Sequence, residues 1–167
     1  MQNHVPNRIF HFDHPYINRD RLRREAYDPE GWMAIRQRVT GWQYINHKPV
    51  NEHNKQRWPA SWMLAEQFRR MLDVDLDIKY YHFTPGALLD WHCDQNKTTV
   101  VNIHLTDTHD GITFRDGFHV YQTALINVAE EHSVRYITED RVFLKFQIGG
   151  WPFEDIVARM KRVLEQT

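Results

Sequence analysis

From Ile78 to Ile148 the chain is divided into short β-favouring runs by turn signals, and that punctuation leaves few folds open. The runs are Ile78–Phe83, Thr98–Leu105, Ile112–Phe114, Phe118–Tyr121, Ala124–Val128, His132–Tyr136 and Val142–Ile148, separated by Pro85-Gly86, His109-Asp110-Gly111, Asp116-Gly117 and similar breaks. Runs of this kind, rich in β-branched and aromatic residues, predict an all-β sandwich or barrel. The preceding part reads differently. Arg8–Asp13 alternates as an edge strand does. Residues 19–39 carry Leu22, Ala26, Trp32, Ile35 and Val39 among many charges and read as a helix, interrupted near Asp28-Pro29-Glu30-Gly31. Residues 42–58 are polar and read as a loop or lid. Pro59 opens a second helix, whose Trp62, Leu64, Ala65, Phe68, Met71 and Leu72 make an apolar stripe suited to covering a sheet. Residues 151–164 close as an amphipathic helix with Pro152 in its first turn. The expected class is mainly β with flanking helices, α+β.

Composition narrows the function. A chain of 167 residues fits one domain: 1–76 as helical and loop support, 77–150 as the β core and 151–167 as a terminal helix. A formal charge of −1 argues against a nucleic-acid partner. The lone cysteine, Cys93, excludes an intramolecular disulfide and suits a reducing compartment. No apolar run approaches the roughly 20 residues a membrane span needs, and Met1–Asn7 lacks the apolar core of a secretion signal. A soluble, cytoplasmic protein is the expectation.

Within the β-rich part stand His92-Cys93-Asp94 and, later, His132. Residues two apart on a strand point to one face, so His92 and Asp94 can reach the same ion. Two imidazoles and one carboxylate are the donor set of the facial triad for non-haem Fe(II), which leaves adjacent coordination positions open. The second imidazole must arrive from a neighbouring strand. Cys93, pointing the other way, is expected to be a small buried hydrophobe.

The run Tyr81-His82-Phe83-Thr84-Pro85-Gly86-Ala87-Leu88-Leu89-Asp90-Trp91-His92-Cys93-Asp94 resembles the entry to the metal site of 2-oxoglutarate/Fe(II)-dependent oxygenases. Glu131-His132-Ser133-Val134 resembles the second-histidine motif of that superfamily, closest to its aspartyl/asparaginyl and prolyl hydroxylase-like branches. The resemblance spans roughly Ile78 to Ile148. It implies a double-stranded β-helix, or jelly-roll, buttressed by N-terminal helices. It implies Fe(II), 2-oxoglutarate as cosubstrate and O2, with ascorbate as reductant, and hydroxylation of a C–H bond. It also implies a cationic anchor for the distal carboxylate of 2-oxoglutarate. Arg141, nine residues past His132, fits that role through its planar fork; Lys145, on the same face by period two, is the second candidate. Tyr81 and His104 are candidate cosubstrate-pocket residues. Two departures stand out. Asn102 replaces the arginine that the aspartyl hydroxylase branch places two residues before the position of His104, and Asp94 replaces that branch's glycine. Alkylated-base demethylases carry two arginines after the second histidine, whereas only Arg141 stands there. Residues 41–58 and 106–118 would read the substrate, a polar small molecule or peptide side chain. A cupin-like metal- or ligand-binding barrel without oxygenase turnover is the alternative.

Overall fold

The computed structural model describes residues 8–35, 42–107, 111–135 and 137–166, the side chains of residues 42–44 excepted. In chain order the elements are β1 (Ile9–His11), α1 (Arg19–Ala26), β2 (Met33–Ala34), β3 (Trp42–Val50), α2 (Pro59–Leu72), β4 (Leu76–His92), β5 (Thr99–His104), β6 (Gly111–Phe114), β7 (Gly117–Val120), β8 (Thr123–Asn127), β9 (His132–Val134), β10 (Arg141–Ile148) and α3 (Phe153–Leu164). The strands pair in the order β1-β8-β5-β10-β4-β9-β6-β7, with β3 also on β4 and β2 on β3. Every pairing is antiparallel. The sheet curls on itself as a jelly-roll. The strands after residue 76 fall within a residue or two of the sequence reading, except that β4 runs on from the expected end at Phe83 to His92 and that Tyr136 lies outside the described residues.

β4 makes the curl. Its first half, Leu76–Phe83, pairs with β10, while Leu89 and His92 near its end pair with β9. The sequence reading placed a turn at Pro85-Gly86; instead the strand runs through it. Four residues, Thr84–Ala87, bulge between positions that meet β3 at Ile45 and Gln43. Gly86 adopts φ +85° and donates its N–H to the Ile137 carbonyl at 2.9 Å. Only glycine takes that conformation cheaply, and proline, lacking an N–H, is tolerated where the ladder is broken. The bulge re-aims the strand so that His92 enters the second half of the sheet.

The reading of residues 19–58 needs two corrections. The helix stops at Ala26 rather than continuing towards Val39, and β2 follows, pairing with His47 and Asn46. Pro29 and Gly31, the latter at φ +78°, break the helix; residues 36–39 lie outside the described ones. The supposed lid begins as a strand, β3, which covers β4 from Ile78 to Leu89. Its polar side chains disguised it.

α1, α2 and α3 cover one face of the sheet. Leu22, Leu64, Phe68, Leu72, Ile156 and Met160 form one buried cluster with Ile78, Tyr80, Ile103, Leu144 and Phe146. Two buried charges stitch this layer. Lys48, on β3, donates to the carbonyls of Glu25 at 2.9 Å, Ala26 at 3.3 Å and Asp28 at 2.6 Å, capping the end of α1. Its ammonium also lies 4.9 Å from the Trp32 ring and 5.1 Å from that of Trp58. The Glu25 carboxylate accepts from Tyr80 Oη at 2.8 Å and from the backbone N–H groups of Ala60 and Ser61, so it caps α2 from a distance. No described helix is long and apolar enough to cross a membrane.

Candidate metal centre

His92 on β4 and His132 on β9 stand directly opposite one another, with ring centroids 4.3 Å apart. This cross-strand register brings two sequence-distant imidazoles together. Asp94 follows the end of β4, and its N–H donates to the Val128 carbonyl at 2.9 Å. Its Oδ1 lies 3.3 Å from His92 Nε2 and 3.9 Å from His132 Nε2. Ligand atoms of all three residues lie within 4.8 Å of one another. Two donors about 2.1 Å from one ion on adjacent octahedral positions would sit roughly 3 Å apart, so small adjustments suffice.

Both rings are oriented from behind. His92 Nδ1 donates to the Asp90 carbonyl at 2.6 Å, and His132 Nδ1 to the Glu130 carbonyl at 2.9 Å. A carbonyl only accepts, so each Nδ1 carries a proton and each Nε2 is turned toward Asp94, where it is free to serve as the metal-binding nitrogen. Burial lowers the His132 pKa to about 4, against the upward pull of the Glu130 carbonyl. For Asp94, burial pushes upward, but Lys145 and then the imidazoles outweigh it and hold the carboxyl well below its usual range. A neutral His132 beside an ionised Asp94 is the protonation pairing a divalent ion needs.

The buried His132 sets a pH dependence. Its folded pKa is depressed below the unfolded value near 6.5. The stability it contributes is therefore present above about pH 6.5 and is lost as pH falls through about 4. Urea unfolding of the metal-free protein should lose on the order of 2 kcal/mol across that window from this group alone. The loss should shrink in His132→Asn; an unchanged slope would assign it elsewhere.

Arg141 opens β10 on the inner face of the curl and is 1% exposed. It donates to the Gly111 carbonyl at 2.8 Å, to Tyr121 Oη at 2.6 Å and to His104 Nε2 at 3.0 Å. Among the described residues it has no acidic partner, and its Nε–H has no acceptor. His104, accepting at Nε2, must carry its proton on Nδ1, which is also buried and unpartnered. Burial, then Arg141, pushes the His104 pKa well below its usual value and keeps the ring neutral. Asn102 turns inward on the same strand and donates to Tyr121 Oη at 2.8 Å, while its carbonyl oxygen has no partner.

The other inward residues link Arg141 to the triad. Tyr81 stacks on Phe143 at 5.4 Å, and Phe143 lies 5.0 Å from the Arg141 guanidinium. Burial, then Asp94, raises the Tyr81 pKa, so its hydroxyl stays protonated. Lys145 Nζ lies 3.8 Å from Asp94 Oδ2 and 5.2 Å from the Tyr81 ring. A cavity of about 290 Å³ opens beside His92, Asp94, Tyr81 and Lys145. Cys93 is exposed rather than buried, because the chain has left the strand and its outward side meets solvent. Sequence reasoning missed Tyr121, which bridges Arg141 and Asn102, and Lys79, which lines the cavity. No motif marks either; only cross-strand register reveals them.

No family model and no curated protein matches the sequence. Solved structures do resemble it. A prolyl-4-hydroxylase from Pseudomonas putida superposes with a TM-score of 0.60 at 18% identity, over 87% of this chain and 94% of that one. The collagen prolyl hydroxylase of Paramecium bursaria Chlorella virus-1, in a 2-oxoglutarate complex, gives 0.59 at 9% identity, over 87% and 98%. HygX from Streptomyces hygroscopicus, with nickel and 2-oxoglutarate bound, gives 0.56 at 11%, over 84% and 81%. At these identities the likeness establishes the fold: the chain has the jelly-roll architecture of 2-oxoglutarate/Fe(II) oxygenases.

Proposed function

We propose that this protein is an Fe(II)- and 2-oxoglutarate-dependent dioxygenase that hydroxylates a C–H bond of a polar small molecule or peptide side chain. The observation that carries the reading is a His-Asp-His cluster sharing one interior with a buried guanidinium that has no acidic partner among the described residues. Two structures that share the fold contain 2-oxoglutarate, one of them with a metal. In this reading His92, Asp94 and His132 hold the ion. Arg141 anchors the distal carboxylate of 2-oxoglutarate. The unpartnered donors Arg141 Nε–H and His104 Nδ1–H favour it, since a carboxylate supplies the acceptors they lack. Lys145 fits the anchoring role less well, because its Nζ stands beside the triad, 3.8 Å from Asp94 Oδ2, and so at the metal end of the interior.

Bound Fe(II) would supply the coupling of O2 reduction to decarboxylation of 2-oxoglutarate and oxidation of the substrate. The chain's own residues do the rest. The Asp90 and Glu130 carbonyls fix the ring orientations. Tyr81 keeps a hydroxyl proton to donate toward a carboxylate. Phe83, Phe143 and Leu89 keep the inner wall dry.

The test is succinate release from 2-oxoglutarate on adding Fe(II) and ascorbate. Wild type should release it and bind iron. His92→Ala should cut turnover by roughly a hundredfold or more while keeping its folded circular dichroism. Wild-type protein that binds neither iron nor 2-oxoglutarate would refute the assignment and leave a ligand-binding barrel.

A further inference from the structure

Lys79 on β4 stands directly opposite Lys145 on β10, and both side chains line the cavity beside the triad. Like charges facing each other across adjacent strands repel, so the pair requires compensation. Lys145 has Asp94 at 3.8 Å, but a bound ion would claim that carboxylate's charge. Asp77, at the cavity rim, is taken by Lys97 at 2.6 Å. Lys79 has no acidic partner among the described residues. Three lysines against two aspartates, with a dication added, make the cavity cationic. A second observation comes from the next inward position of β10. Gln147 is 9% exposed, lines the same cavity, and its carbonyl oxygen is buried without a donor. The cavity therefore offers a pair of cations and, beside them, an acceptor waiting for an N–H or O–H.

We propose that the substrate is a small anion whose carboxylate or phosphate sits between Lys79 and Lys145 and whose adjacent N–H or O–H donates to Gln147. The cavity of about 290 Å³ suits a molecule the size of an amino acid or an acylated one. This inference rests on the dioxygenase reading for the meaning of "substrate", but the anion site can be tested without turnover.

The probes are acetylglycine, its neutral isostere acetylglycinamide, and glycerol phosphate. Each is titrated calorimetrically into protein loaded with Ni(II) and 2-oxoglutarate, and into metal-free protein. At least one anion should bind wild type, and which one distinguishes carboxylate from phosphate. Acetylglycinamide should not bind. Lys79→Gln should weaken the anion about tenfold or more, and Lys79→Arg should keep most of the affinity. Circular dichroism verifies both folds; if Lys79→Gln does not fold, loss of binding in Lys79→Met replaces it as the decisive result. Equal binding of acetylglycinamide, undiminished anion binding without Lys79, or no anion binding at millimolar concentration would overturn the proposal. Lys79-dependent anion binding in a protein without affinity for 2-oxoglutarate would sink the dioxygenase reading and leave the anion site standing. Tight 2-oxoglutarate binding with no such anion site would do the reverse.

Discussion

Replacing Arg141 by methionine will weaken 2-oxoglutarate binding by a hundredfold or more, on the order of 3–5 kcal/mol, while leaving the ligand-free protein about as stable as before. The two halves of this result come from one geometry. A guanidinium that is 1% exposed and faces no described acid has given up most of its hydration for three hydrogen bonds to neutral groups. Methionine fills similar volume without that desolvation cost. Of the three acceptors, only the Gly111 carbonyl is fixed in its need; Tyr121 can rotate its hydroxyl, and His104 can exchange tautomers. The ligand-free stability should therefore stay within about 1 kcal/mol of wild type. The carboxylate, by contrast, would lose a buried cationic partner for which the described residues offer no replacement at that end of the interior. Isothermal titration with 2-oxoglutarate on the Ni(II)-loaded protein measures the first half, and urea unfolding of the metal-free protein the second. Metal affinity should change by no more than a few-fold, because the triad stands apart along β10. Comparable losses of metal, cosubstrate and stability would instead make Arg141 a structural residue and return the anchor to Lys145.

What the sequence disclosed followed from which interactions are local. The strands after Ile78 were legible because short apolar runs and turn residues are neighbours in the chain. His92 and Asp94 were legible for the same reason. β3 was not. Of its residues, Ile45, Lys48 and Val50 are buried, and a lysine in a core position breaks the binary pattern that marks a strand. The end of α1 was misread because apolar residues, Trp32 and Ile35 three apart, continue among the charges after Ala26, although Trp32 is off the Leu22/Ala26 face and Pro29 and Gly31 make a helix untenable. In the site, register decided what composition could not. The Lys79–Lys145 pair and the Tyr121 bridge to Arg141 depend on which residues of β4, β5, β8 and β10 come to lie side by side. The Pro85-Gly86 bulge was visible as a signal, but its consequence was not: it redirects a continuous strand instead of ending one.

Lys48 provides the opposite case to Arg141. Lys48→Met should cost about 3–5 kcal/mol of folding stability, roughly 10 °C in Tm. Both cations are fully buried, yet their partners differ in kind. The acceptors of Lys48 are three backbone carbonyls at and just past the end of α1 that no rotation or tautomer can re-satisfy. The Glu25 and Ala26 carbonyls keep weaker donors in the Asp28 N–H at 3.3 Å and Trp32 Nε1 at 3.2 Å, whereas the Asp28 carbonyl, at 2.6 Å from Nζ, depends on the ammonium most. A carbonyl left without its donor costs about 1–3 kcal/mol when water cannot reach it, and losing a charged donor costs the other two about 1 kcal/mol each. The loss of cation–π contacts with Trp32 and Trp58 adds to this. Damage should spread to α2, whose first N–H groups depend on Glu25 in the same segment. Against a typical total of 5–15 kcal/mol, that is a large share. Denaturant unfolding of Lys48→Met and Arg141→Met side by side gives the comparison its force. A large loss in the first and a small one in the second would separate a cation that holds the helices to the sheet from one held ready for a ligand. If the two lose equally, burial alone governs both, and the uncompensated charge of Arg141 no longer argues for a carboxylate beside it.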